Sequence, residues 1–185
     1  MYVHSPIQPQ LEEDLIRFAT DGGRLVALHH GIASAKVANP AWLKLLGIHI
    51  HPRNHPTHPW NVLRGNYQLV NLSPDHYVTS HKLRYPLEVS YTPSDTPSME
   101  QRLPGLEFPD TEIFLNQLFT DARQKTVLYG FKTVIDGRTH MQDRAGWLKQ
   151  TGRGHVFYFQ PGHFAGDFTP AYVQILANAI TWKAQ

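Results

Sequence analysis

Two short, almost wholly apolar runs constrain this chain most: Arg24-Leu25-Val26-Ala27-Leu28 and His155-Val156-Phe157-Tyr158-Phe159. The first, short and without alternation, fits a strand buried on both faces, the kind found in parallel sheets. The second is rich in β-prone aromatic and branched residues. A helix precedes the first run. Its Leu11, Leu15 and Phe18, spaced four and three apart, form one stripe over residues 10–20. Asp21-Gly22-Gly23 ends it, because glycine takes the left-handed conformation beyond a helix C-terminus. Asn39-Pro40 opens a second helix through Leu46, closed at Gly47, with Asn and Pro in their favoured cap and first-turn positions. Thr126–Phe131 reads as another buried strand. Pro170 starts a last helix with Tyr172, Ile175, Leu176, Ala179 and Ile180 on one face. Strands alternating with helices predict an α/β fold with a mostly parallel sheet.

The middle of the chain is less regular. From Ile48 to about Pro109, prolines and histidines interrupt short stretches, of which residues 67–72 and 87–91 alternate like half-buried strands. Residues 92–105, with Pro93, Pro97 and Pro104 among Ser and Thr, predict a long surface loop, part of an excursion spanning about 80–109. The whole chain, 185 residues, suits one domain.

Composition narrows the chemistry. Hydrophobic residues make up 41% and charged residues 17%, which supports a packed core and excludes a disordered tail. There is no cysteine, hence no disulfide, no thiolate nucleophile and no thiolate metal site, whereas histidines number 12. With Lys plus Arg at 17 against 15 acids, the formal charge is +2, and no basic face emerges to hold nucleic acid. No apolar run approaches the roughly 18 residues that span a bilayer. Met1-Tyr2-Val3-His4-Ser5-Pro6 lacks the basic and apolar regions of an export signal. A cytoplasmic protein with no membrane partner and no nucleotide cofactor is the expectation.

Ligands of open α/β sheets bind beyond the carboxyl ends of the strands. Two histidine-bearing breaks follow strands: His29-His30-Gly31, and Gly162-His163. If both strands are central and parallel, these histidines meet in one crevice. The alternative is a satisfied turn histidine at each. The strand–turn–helix around His29 also has the form of a nucleophile elbow, with histidine where such folds place Ser or Cys. Histidine there suits a general base or a metal ligand. His49, His51, His55 and His58 place four imidazoles in ten residues, either a metal site or a solvated, proline-stiffened loop. Asp110-Thr111-Glu112 reads either as acids at a helix N-terminus or as a base and hydroxyl acceptor.

These motifs, in order, resemble the trehalose-utilisation, or ThuA-like, family. Gly22-Gly23-Arg24-Leu25-Val26-Ala27-Leu28-His29 is similar to its "GGGlvglH" segment, and Trp42 through Gly47 to its "W…l.G". His51-Pro52 resembles its "HP", Asp75-His76-Tyr77-Val78-Thr79 its "dHPiT", and Glu112-Ile113-Phe114 its "DE.Y". Gly152–Tyr158 resembles "GkGRVFY", Pro161-Gly162-His163 "lGH", and Ile180-Thr181-Trp182 "gi.W". The resemblance implies a flavodoxin-like three-layer sandwich of the class I glutamine-amidotransferase-like type, without that group's cysteine. It implies use of trehalose or related 3-keto disaccharides. Tyr77 stands where the family has Pro, and Thr111 where it has Asp before Glu112. The interval 80–109 is long. The family's N-terminal strands are missing or shortened, so an edge covered by a partner, as in a homo-oligomer, is one expectation.

On this reading His29, Glu112 and His163 are the catalytic candidates. His30, Trp42, His76, Tyr77 and Asp110 are the candidates for binding a small-molecule sugar, with helix core as the alternative for Trp42. His29, His51 and His55 are the candidates for a divalent metal, zinc or similar. The expected function is acid/base chemistry on a disaccharide or ketosugar. The alternative is a non-catalytic sugar- or metal-binding module on the same scaffold, and a glutamine-amidotransferase-like hydrolase is disfavoured by the missing thiol.

Overall fold

The computed structural model describes residues 4–92, 99–121 and 125–183. Its elements are α1 (Pro9–Thr20), β1 (Arg24–Leu28), two 3-10 turns (His29–Ile32 and Ser34–Ala38), α2 (Pro40–Leu46), β2 (Ile48–Ile50), β3 (Asn61–Asn71), α3 (Tyr77–Ser80), β4 (Leu87–Tyr91), β5 (Gln101–Leu115), β6 (Gln117–Phe119), β7 (Lys125–Ile135), β8 (Arg138–Thr151), β9 (Gly154–Phe159), a 3-10 turn (Ala165–Asp167) and α4 (Pro170–Thr181). The chain forms two compact units. One comprises residues 1–63, 114–126 and 147–160, the other residues 64–113, 127–146 and 161–185.

In the first unit the strand order is β1-β9-β8, and β2 pairs separately with β6. β1 and β9 pair in parallel from Arg24↔His155 to Leu28↔Phe159, while β2 and β6 are antiparallel. The core gathers Trp42, Trp60, Phe114, Trp147 and Tyr158 with Leu46, Ile48 and Val156. The indole N–H of Trp42 donates to the Gly31 carbonyl at 2.7 Å and that of Trp147 to the Leu46 carbonyl at 3.1 Å. α1 turns Leu15, Ile16 and Ala19 inward, whereas Leu11 and Phe18 of the expected stripe are exposed. The Phe18 ring instead lies where a side chain on residue 23 would stand, so Gly23 makes room for it. Gly47 closes α2 at φ 70, as its position after the helix predicts. Asn39 does not cap α2 through its side chain. Its amide reads the Ile7 backbone in both directions, at 2.8 and 2.9 Å, and donates to Glu12 at 2.8 Å.

In the second unit the order is β8-β7-β3-β5-β4, with α3 and α4. β3 pairs with β7, and β4 with β5, antiparallel. The expectation of a mostly parallel sheet is therefore corrected: the fold is α/β with a mixed sheet in which antiparallel pairing dominates. The reason is a hairpin. Asp136-Gly137 joins β7 to β8 with both residues in the left-handed region, φ 50 and 74. Asp-Gly in that geometry matches the twist of antiparallel strands. A second expectation also fails. Residues 80–109 are not one loop, because Leu87–Tyr91 and Gln101 onward form a ladder that includes Pro104 opposite Glu88. Proline removes one donor but tolerates extended backbone. Residues 93–98 of that expected loop lie outside the described residues. Asp110, Thr111 and Glu112 lie within β5 and not at a helix start. α4 buries Tyr172, Ile175 and Ala179 as expected, but Ile180 is exposed, and Asn178 is buried instead, its amide donating to the Val78 and His81 carbonyls.

The buried tyrosines of this unit make its stability depend on pH. Burial raises Tyr67, Tyr91 and Tyr129 above the ordinary phenol range, and burial lifts Tyr85 to about 12. A phenol raised in the folded state contributes stability that is complete below about pH 10 and lost as pH rises further. The unfolding midpoint in denaturant is expected to hold to about pH 10 and to fall between there and about pH 12, read alongside tyrosinate absorbance. Asn39→Ala strands the buried Ile7 amide and carbonyl and is expected to lose about 2–4 kcal/mol with an unchanged denaturant slope.

Candidate functional site

In the first unit, β1 delivers the chain into His29, which holds φ 35 at the start of the 3-10 turn. A non-glycine residue at positive φ is a strained position of the kind found at functional turns. The His29 ring is fully buried and stacks on Phe114 with centroids 4.4 Å apart. Its Nδ1 lies 2.6 Å from the Gln160 carbonyl oxygen. A carbonyl only accepts, so Nδ1 carries the proton and Nε2 is the basic nitrogen. The Gln160 side chain in turn reads the Phe114 backbone in both directions at 3.3 Å. Tyr158 Oη donates to the His29 carbonyl at 3.2 Å. The end of β9 therefore fixes both the backbone and the ring of His29. His30 packs edge-on against His29 and against His4, both at 4.5 Å between centroids, with its Nδ1 3.2 Å from that of His4.

The histidine-rich stretch after β2 is a stack. His51 lies edge-on to His49 at 4.5 Å and flat on His55 at 3.8 Å. Desolvation, then the charges of His55, His49 and His58, lower the His51 pKa, so its ring favours the neutral form. The backbone N–H of His58 donates to His55 Nδ1 at 3.1 Å. Among the described residues, neither His51 nor His55 belongs to a group of three or more metal-capable side chains within reach of one another. Trp42, expected to offer a flat face to a sugar, is fully buried and holds the turn after β1 through Gly31.

In the second unit, His163 and Glu112 meet. Nδ1 lies 3.3 Å from a Glu112 carboxylate oxygen, with the side chains 26% and 23% exposed. A carboxylate accepts, so it orients the imidazole. Asp167 builds the turn that carries His163. Its buried carboxylate accepts from the His163 and Phe164 backbone N–H groups at 2.8 and 3.1 Å and from the Thr111 hydroxyl at 2.6 Å. Thr111 and Glu112 are neighbours on β5, so one acid ties the His163 turn to the strand bearing its partner.

The remaining sugar-binding candidates take other surroundings. His76 caps α3, its Nδ1 accepting from the Val78 N–H at 3.1 Å, and packs on Trp182 at 5.4 Å. Burial lowers its pKa. Tyr77 stacks on His81 at 4.6 Å. Asp110 is paired with Arg64 through two hydrogen bonds of 2.8 and 2.7 Å, which hold its carboxyl below the usual range. Sequence reasoning missed Asp167, Gln160 and Arg64. Gln160 and Asp167 flank His163 by three and four residues, a local signal that was open to use. Arg64 carries no such signal, since only strand pairing brings β3 to β5.

The trehalose-utilisation (ThuA) family model matches residues 4–183. The chain belongs to the ThuA family. Solved structures of the same fold include ThuA-like proteins from Bacteroides uniformis, 15% identical with a TM-score of 0.60, and from Parabacteroides merdae, 13% identical with a TM-score of 0.62. A cytoplasmic protein from Salmonella typhimurium is 13% identical with a TM-score of 0.54. The matches cover 96%, 95% and 94% of this ThuA chain but 65%, 68% and 60% of those proteins. At such identities the likeness establishes the fold. No curated protein is significantly similar to the sequence. Among the described residues, no helix is long and apolar enough to cross a membrane.

The Asp167 knot gives a direct test. Asp167→Ala leaves buried donors unpaired and is expected to destabilise the protein by about 2–4 kcal/mol in chemical denaturation. Thr111→Val deletes one donor and keeps the shape, and is expected to cost about 1 kcal/mol.

Proposed function

We propose that this ThuA-family chain is a carbohydrate-active enzyme that moves protons on a disaccharide or ketosugar. The His163–Glu112 contact carries the reading. An imidazole oriented by a carboxylate takes up and returns a proton, and the carboxylate balances the imidazolium that forms. In this role His163 is the general base or acid, and Glu112 orients it. His29 is the second acid/base candidate. Its positive φ and its Nδ1 bond to Gln160 support a ring held in one tautomer. His30, His76, Tyr77 and Asp110 are the sugar-contact candidates.

His29, His51 and His55 remain the residues expected to take a divalent metal. Among the described residues, His51 and His55 belong to no three-donor set. A small-molecule sugar partner, a homo-oligomer, a cytoplasmic location and the absence of a nucleotide cofactor complete the proposal.

The second reading is a non-catalytic sugar-binding module. Full burial of His29 against Phe114 favours it, since a ring so enclosed serves packing as well as chemistry.

Incubation of the protein with trehalose and 3-ketotrehalose, followed by nuclear magnetic resonance, separates the two. Turnover is expected, and His163→Ala and Glu112→Gln are expected to lower it about 10²–10⁴-fold without loss of fold. His29→Ala that folds normally and turns over at the full rate removes His29 from the mechanism. A sugar-dependent thermal shift with no turnover selects the binding module.

A further inference from the structure

Beside the His163–Glu112 pair, the second unit carries a small cavity of about 240 Å³ lined by Arg64, Pro109, Asp110, Phe164, Gly166 and Asp167. Three features of its wall belong together. Asp110 holds φ 50 in the middle of β5, a left-handed residue inside a strand, and its N–H is taken by the Asn66 side chain at 3.2 Å. That break turns the carboxylate to Arg64, which grips it with two parallel bonds. The Arg64 guanidinium also lies 4.8 Å over the Phe164 ring, which stays 38% exposed.

Fold stability does not account for this arrangement. Arg64 and Asp110 are 62% and 68% exposed, and ion pairs in that setting contribute little. A strand broken at a non-glycine residue works against the fold, and such breaks concentrate where a ligand is held. We infer that Arg64, Asp110 and Phe164 form a subsite for one neutral sugar ring. This rests on the carbohydrate reading of His163–Glu112 and names the ligand class for that site.

The chemistry selects the ligand. The pair supplies guanidinium donors and carboxylate acceptors side by side at zero net charge, which suits two adjacent hydroxyls and disfavours an anion. Phe164 supplies an apolar wall for the C–H face of a ring. The cavity is smaller than the roughly 300–1,000 Å³ of sites for larger ligands, so it takes one ring. Glu112 follows Asp110 by two residues on β5, and Phe164 follows His163 directly, so the ring held here lies next to the proton-transferring pair.

Saturation-transfer nuclear magnetic resonance on the full chain, with methyl α-D-glucopyranoside and D-glucuronate as probes, tests this. Transfer to the glucoside is expected, with weaker transfer to glucuronate. Asp110→Asn and Arg64→Lys, both exposed and expected to keep the thermal midpoint, are expected to weaken glucoside binding by tenfold or more. Glu112→Gln is expected to keep binding while turnover falls. Binding that survives with no turnover in any variant defeats the catalytic reading and leaves the subsite standing. Absence of glucoside transfer to the unmutated protein, unchanged binding in Asp110→Asn, or preference for glucuronate overturns the subsite.

Discussion

A parallel ladder joins residues 24–28 to residues 155–159, and the candidate chemistry of the first unit depends on it. Parallel neighbours cannot be joined by a tight turn, so a long stretch of chain must leave β1 and return before β9 can pair. Once paired, the two strands end together. The chain then passes from Leu28 into His29 and from Phe159 into Gln160, and the Gln160 carbonyl takes the His29 Nδ1 proton. A turn that would be loose in isolation is fixed by a residue far along the sequence. The strain at His29 is held by the Tyr158 hydroxyl, the Gln160 carbonyl and the Phe114 ring.

The second unit solves a similar problem with a single buried acid. Asp167 collects two backbone donors and a threonine hydroxyl, and so locks the His163 turn to β5. An imidazole must be held within hydrogen-bond reach of its carboxylate partner to exchange protons efficiently. The Asp167 bonds do this through the backbone of the His163 turn. Asp110, gripped by Arg64 of β3, lies on β5 one residue before Thr111, so one broken stretch of β5 presents both the paired carboxylate and Glu112.

Much of this was legible in order along the chain. Helices at 9–20, 40–46 and 170–181 follow from caps, prolines and apolar spacing, and β1, β4, β7 and β9 from apolar or alternating runs. The ThuA resemblance rested on short motifs spread over the whole chain. β5 and β8 were not legible. β8 opens with Arg138-Thr139-His140-Met141-Gln142-Asp143, which has neither a clean alternation nor an apolar run, and β5 contains two prolines. Both are strands because neighbours on the sheet supply their partners. Asp136-Gly137 is a hairpin signal that the expected helix–strand alternation passed over, and its turn chemistry makes the sheet mixed.

The sequence by itself determined the family, the three longer helices, the absence of thiol chemistry and the histidine-bearing breaks after β1 and β9. These depend on residue identity and near-neighbour spacing, which the chain carries locally. Tertiary structure alone decided the strand directions, the Nδ1 tautomer of His29, the meeting of Glu112 with His163 and the Arg64–Asp110 pair. Those depend on hydrogen bonds between residues distant in sequence. Such bonds form only where strand pairing brings donor and acceptor to within about 3 Å, a distance no spacing along the chain encodes.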